Sequence, residues 1–108
     1  MLLKKGAAAD IVDNTGKSAI LYAAANGSAE IVSLLINHGV DVNKQYKNDL
    51  TPLMWAAGYG HLDIVKMLVN HGAKLDAKDN RSYDASAIAE KNNHQGVVKF
   101  LEKQRESN

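Results

Sequence analysis

Between Thr51 and Ala73 apolar residues fall at helical spacing twice, with a glycine-rich break between the two runs. Pro52-Leu53-Met54-Trp55-Ala56-Ala57 leads into Gly58-Tyr59-Gly60, and His61-Leu62-Asp63-Ile64-Val65-Lys66-Met67-Leu68-Val69 leads on to Gly72-Ala73. The pattern predicts a hairpin of two helices. Thr51 is placed to cap the first helix, its hydroxyl accepting one of the free backbone N–H groups, and Pro52 stands at the first helical position, where a missing N–H costs nothing. The second helix is predicted from Leu62, with Asp63 in its first turn against the positive end of the helix dipole. Ile64, Val65 and Leu68 form its apolar stripe, and Gly72 follows as the left-handed residue that ends it. A hairpin with apolar surface on both broad sides cannot bury itself alone and must stack on units like itself.

Such units are present. Windows 13–45 and 46–78 align without a gap and agree at nine of 33 positions, all of them helix-core or turn positions: Ala23/Ala56, Ala24/Ala57, Gly27/Gly60, Ile31/Ile64, Val32/Val65, Leu35/Leu68, Asn37/Asn70, His38/His71 and Gly39/Gly72. A third, weaker copy is in phase, with Asp84 in the place of Thr51, Ala85 in that of Pro52, Ala89 matching Ala56, His94 matching His61, and Val97, Val98 and Leu101 continuing the second-helix stripe.

The 33-residue period, the cap, the paired alanines, the Gly-His loop and the Gly-Ala helix exit recur together, and in this the chain resembles the ankyrin repeat family. The resemblance covers essentially the whole chain. It implies an all-α solenoid of stacked helix-turn-helix units joined by β-turn finger loops. Met54 and Leu21 depart from the family pattern by standing where it usually has histidine, which removes a polar contact to the neighbouring turn. Ser86 occupies the position of Leu53 and Ile20, so the third first-helix is expected to be the least well packed.

One ankyrin-repeat domain over residues 1–108 is expected, divided into a partial repeat at 1–12, repeats at 13–45 and 46–78, and a third at 79–108 that includes a C-terminal cap. Leu2, Leu3 and Gly6 fall one period before Leu35, Ile36 and Gly39, so the chain reads as starting inside a repeat. That leaves the edge of the first full repeat poorly covered, and apolar groups around Ile20 and Leu34 are expected to be partly exposed there, favouring weak self-association. At the other end Arg105 stands where the cap glycine falls by phase, and the last helix is expected to run on and fray. The three inter-repeat turns, 13–17, 46–50 and 79–83, are rich in turn-forming residues and are expected to project along one edge.

Composition narrows function mainly by exclusion. The net charge is +1 with both signs interspersed, which points neither to nucleic acid nor to an anionic membrane, and the chain has no cysteine for disulfides or thiolate chemistry. No apolar run reaches membrane-spanning length, and no leader of signal-peptide type is readable. His38/His71 and His61/His94 are pairs one repeat apart, and helices packed about 8–10 Å apart separate such pairs too far to share one zinc ion with bonds near 2 Å. No nucleophile-base pair, phosphate-cradling loop or carboxylate pocket is readable. No cofactor and no catalytic residue are expected, and the chain is read as a non-catalytic module whose partner is another protein. An engineered structural scaffold or a fragment of a longer array is the alternative reading.

The positions free of core duty lie on the turns and at the ends of the first helices: Asn14, Thr15, Lys17 and Asn26 in the first repeat, Lys47, Asn48, Leu50 and Tyr59 in the second, and Arg81, Tyr83, Lys91 and Asn92 in the third. Tyr22 and Trp55 are equivalent by phase, and part of each ring is expected to reach the same concave strip. Interfaces concentrate their energy in aromatic and arginine anchors, so Trp55, Tyr59 and Arg81 are the expected anchors, with the lysines contributing association rate and salt dependence. Asp41-Val42-Asn43, with Leu35 upstream, resembles the site at which asparaginyl hydroxylases act on ankyrin repeats. The competing role for Asn43 is to hydrogen-bond across the turn and hold neighbouring repeats together, as the polar Asp76 one repeat later suggests.

Overall fold

The computed structural model of the chain describes residues 11–106; the expectations for Leu2, Leu3, Gly6 and the rest of residues 1–10 lie outside the described residues. The described chain is helical throughout, apart from turns and an isolated antiparallel bridge between Val12 and Ser18. Helices α1 (Ala19–Asn26) and α2 (Ala29–Asn37) form one hairpin, α3 (Pro52–Gly58) and α4 (Leu62–Asn70) a second, and α5 (Ala85–Lys91) and α6 (Gln95–Glu106) a third. The first helices α1, α3 and α5 pack side by side in one layer, and α2, α4 and α6 back them in another.

Local chemistry sets the helix starts. Thr51 Oγ1 accepts the Met54 N–H at 3.3 Å, while the Met54 thioether lies 3.4 Å from the Thr51 N–H, a reciprocal cap in which sulfur takes the place of the usual Glu or Gln carbonyl oxygen. Asp84 caps α5 through Oδ1, which accepts the Ala87 N–H at 2.9 Å. Ser18 holds the same extended cap conformation before α1, yet its hydroxyl is buried and makes no hydrogen bond. The three hairpins differ at the very position where their sequences differ.

The core is continuous. Ile20, Leu53, Ile64, Val65, Leu68 and Leu101 are at most 1 % exposed, and Ala24, Ala56, Ala57 and Ala89 are fully buried, their small side chains letting the first helices lie close together. Leu21 and Met54 are buried as well, so the two departures from the family's histidine serve as core residues.

Two expectations are corrected. Ile20 is fully buried, because it belongs to the continuous core; Leu34 on α2 is exposed as expected, at 55 %, and Ile31 on the same helix joins it at 48 %. Ile31 is equivalent to Ile64 and Val97, which are buried in hairpins whose second helix has α2 or α4 packed beside it. Ser86 does not leave the third hairpin loose: it is buried, and its hydroxyl donates to Glu102 Oε2 at 2.7 Å, a partner supplied by α6 itself. Helix α6 does run on past the expected stop, over 12 residues against nine in α4. Near its end Arg105 bonds Asp84 Oδ2 at 2.9 Å and Glu102 Oε2 at 3.2 Å, which ties the last turns of α6 to the start of α5.

Candidate functional site

The three turns share one backbone design. Asp13 N–H donates to Lys17 O, Tyr46 N–H to Leu50 O and Asp79 N–H to Tyr83 O, at 2.8–2.9 Å. In each turn one residue is left-handed at the same phase, Gly16 (φ 79°), Asp49 (φ 62°) and Ser82 (φ 70°). Only the first is a glycine, so the turn geometry is held by surrounding bonds rather than by glycine alone. Successive turns also touch: the Asn80 N–H donates to Asn48 O at 2.9 Å, and a Cβ placed on Gly16 would lie 2.6 Å from Lys47 Cβ.

A carboxylate organises each outer turn. Asp13 accepts from the Thr15 N–H and hydroxyl, from the Lys17 N–H, and from the Tyr22 hydroxyl at 2.6 Å. The Thr15 and Tyr22 hydroxyls, followed by the Lys17 N–H, hold its carboxyl well below the usual carboxylate range. Burial pushes the Asp79 carboxyl up, and the hydrogen bonds from the Arg81 side chain and from the Tyr83 and Arg81 N–H groups more than reverse this, leaving it below its ordinary value. The Arg81 guanidinium meets Asp79 Oδ2 at 2.7 Å and lies 4.7 Å from the Tyr83 ring centroid. In the middle turn Tyr46 takes the place of the carboxylate, buried, with Lys44 Nζ 5.3 Å from its ring centroid.

Two clefts open between the turns and the first helices. The larger, about 370 Å³, lies at the α3–α5 seam and is lined by Leu50, Met54, Trp55, Gly58, Tyr59, Arg81, Ile88 and Asn92. The smaller, about 170 Å³, lies at the α1–α3 seam against Thr15, Lys17, Lys47, Asn48, Leu50 and Trp55. Leu50 and Trp55 border both. The Trp55 and Tyr59 rings are parallel within 7° at 6.0 Å, and His61 continues the stack at 6.4 Å from Tyr59. Tyr59 is 56 % exposed, while Trp55 is half-buried with its indole N–H shielded from solvent and unbonded. Lys17 Nζ lies 5.6 Å from the Trp55 ring centroid.

Of the residues singled out in the sequence, the clefts bring together Thr15, Lys17, Lys47, Asn48, Leu50, Trp55, Tyr59, Arg81 and Asn92. Asn14 is exposed on the first turn and Asn26 ends α1, neither lining a cleft. Tyr22 is exposed with its hydroxyl engaged by Asp13, and Tyr83 is half-buried under Arg81 and Lys91. The sequence reading missed Met54 and Ile88 as cleft-lining residues and His61 as part of the ring stack; their phase beside Trp55 and Tyr59 was the available signal.

Asn43 bridges two repeats. Its Nδ2 donates to Gly72 O at 3.0 Å and its Oδ1 accepts the Lys74 N–H at 2.8 Å, so both ends of the amide are used across the seam. Gln45 does likewise nearer the turns, donating to Lys78 O at 3.0 Å. No group of three or more metal-ligating side chains occurs among the described residues.

A family model for ankyrin repeats in three copies matches residues 1–79 and again residues 39–108. No curated protein matches the chain. Ankyrin repeats generally act as protein–protein interaction modules and are typically non-enzymatic. The recurring hairpins, the shared turn design and the match along the whole length lead to one conclusion: the chain belongs to the ankyrin repeat family.

Proposed function

We propose that this chain is a non-catalytic module that takes a partner protein on the surface formed by its turns and first helices. The observation that carries the reading is the parallel Trp55–Tyr59 pair beside the open α3–α5 cleft, where a largely exposed tyrosine adjoins apolar walls from Leu50 and Ile88. Large aromatic rings give much contact area at low conformational cost, and an open apolar cleft beside them offers an anchor position. Arg81 keeps a little over half of its side chain exposed although it is paired with Asp79, so it is a rim residue of that cleft. Asn43 is read as a clamp between repeats, since hydrogen bonds use both ends of its amide.

Capture experiments with the intact chain test the surface. Alanine at Tyr59 and Arg81 should abolish retention of a captured partner while leaving the helical circular dichroism unchanged. Alanine at Lys66 and Ser33, on the second helices, should leave retention intact; the opposite outcome would assign binding to the other face.

A further inference from the structure

The charged side chains that line the two clefts have a single sign. Lys17 and Lys47 border the α1–α3 cleft and Arg81 borders the α3–α5 cleft, and among the described residues no carboxylate lines either. The acids of the neighbouring turns are already engaged: Asp13 by Thr15, Lys17 and Tyr22, and Asp79 by Arg81. Asp49, exposed on the middle turn, borders neither cleft. Among the described residues neither Lys17 nor Lys47 has an ion-pair partner; Lys17 lies on the Trp55 ring, and Lys47 is exposed at the contact between the first two turns. A cationic cleft and an apolar cleft therefore lie side by side, with Leu50 and Trp55 common to both.

We infer that the occupant of this surface is an extended acidic segment of a partner protein, with an apolar side chain in the α3–α5 cleft and a carboxylate against Lys17 and Lys47. The inference rests on the interaction-surface reading above and gives the partner its chemistry. The two seams are one repeat apart, about 8–10 Å for packed helices. An extended chain advances about 3.3 Å per residue, so the apolar and acidic residues should stand about three positions apart in the partner. Charge alone does not describe the site, because the larger cleft is walled by Met54, Trp55 and Ile88, which give a polyanion without side-chain hydrocarbon nothing to fill. Complementary charge at such a rim acts mainly on association rate and salt dependence, while the filled cleft sets residence time.

Selection of a random dodecapeptide display library on the intact chain tests this. The expected result is enrichment of Asp or Glu about three positions from Leu, Ile, Met, Phe or Trp, in either chain direction. Synthetic copies of the selected peptides should weaken on added salt and lose about tenfold in affinity on Lys17→Glu/Lys47→Glu. Reselection on that double variant should lose the acidic preference while keeping the apolar one, and Tyr59→Ala should weaken every selected peptide. Selected peptides that are neutral or basic yet depend on Tyr59 would overturn the acidic assignment and leave the interaction surface standing. Peptides indifferent to Tyr59 and Lys17 but sensitive to Lys66→Glu would overturn both. An oligothymidylate that displaces the peptides and binds Tyr59→Ala unchanged would show charge alone at work and overturn the inference, as would a library with no enrichment.

Discussion

The Nε2–H of His94 donates to the carbonyl oxygen of Gly58 at 3.1 Å, and the His61 Nε2–H does the same to Ala25 O at 2.9 Å one repeat earlier. A carbonyl oxygen can only accept, so each ring must carry its proton on Nε2. The two rings tie the start of each second helix to the end of the preceding repeat's first helix. They also explain why Gly27 and Gly60 are glycines twice over: both are left-handed, and a Cβ on Gly60 would lie 2.5 Å from His94 Nδ1.

Gly60→Ala should therefore destabilise more than Gly72→Ala. Both residues have φ near +75° to +91°, which costs an L-residue about 1–2 kcal/mol, but a Cβ at Gly72 meets nothing within 4 Å. Urea titrations of the two variants should differ in midpoint, and the difference should shrink when His94→Ala is added to both. Equal losses in all backgrounds would mean that the histidine contact carries no weight.

The caps make a second contrast. Thr51→Ala removes a hydrogen bond at the start of α3 and should cost about 0.5–2 kcal/mol. Ser18→Ala removes a buried hydroxyl that bonds to nothing and should be neutral or stabilising, although the two residues are equivalent by phase. Thermal unfolding of both variants under one buffer decides between this and equal capping roles.

Leu68 and Leu101 are both at most 1 % exposed, yet they sit in different places along the stack. Leu68→Ala in the central hairpin should cost about 2–5 kcal/mol and lower the unfolding midpoint of the whole array, since each repeat leans on its neighbours. Leu101→Ala should instead raise amide exchange first in α5 and α6. The same small loss from both would contradict a cooperative three-hairpin stack.

Acid should loosen the outer turns. A carboxyl whose folded-state pKa is depressed contributes stability above its unfolded value and loses it as pH falls through the folded one. For Asp79 that window lies below the ordinary value of 3.8, and Asp13 behaves likewise. Amide exchange at Arg81 and Tyr83 should rise relative to the intrinsic rate as pH is taken below about 4, and Asp79→Asn should bring that rise to neutral pH. Protection at those two amides unchanged in Asp79→Asn would show that the carboxylate does not hold the turn.

What was legible in the sequence was local. Thr51 and Asp84 were readable as caps because the cap bond spans three residues, and Ile64, Val65 and Leu68 because a stripe repeats every turn. The cleft residues Leu50, Tyr59 and Arg81 followed from being read as free of core duty, and Trp55 from the expectation that part of its ring reaches the same strip. Contacts between residues far apart in the chain were harder to read: the His94–Gly58 and His61–Ala25 bonds join neighbouring repeats across 36 residues, and Ser86–Glu102 joins the two helices of the third hairpin across 16. Arg105 read as a missing cap glycine, and its partner Asp84 was already assigned to capping; one carboxylate serves both, with Oδ1 on the helix start and Oδ2 on the guanidinium. Asn93 repeats the left-handed turn of Gly27 and Gly60 without a glycine (φ 64°), a conformation asparagine tolerates well.

The placement of Trp55 has a practical consequence. It is the chain's one tryptophan, half-buried at the ridge between the two clefts, with Tyr59 stacked on it and Lys17 over its ring. Indole emission responds to solvent access and to nearby charge, so the fluorescence of the unlabelled protein reports from this one location. Loss of Lys17 from the ring, entry of an apolar group beside it, and separation of α3 from α5 should each give a different spectral change, making the chain its own optical probe for titrations at the clefts.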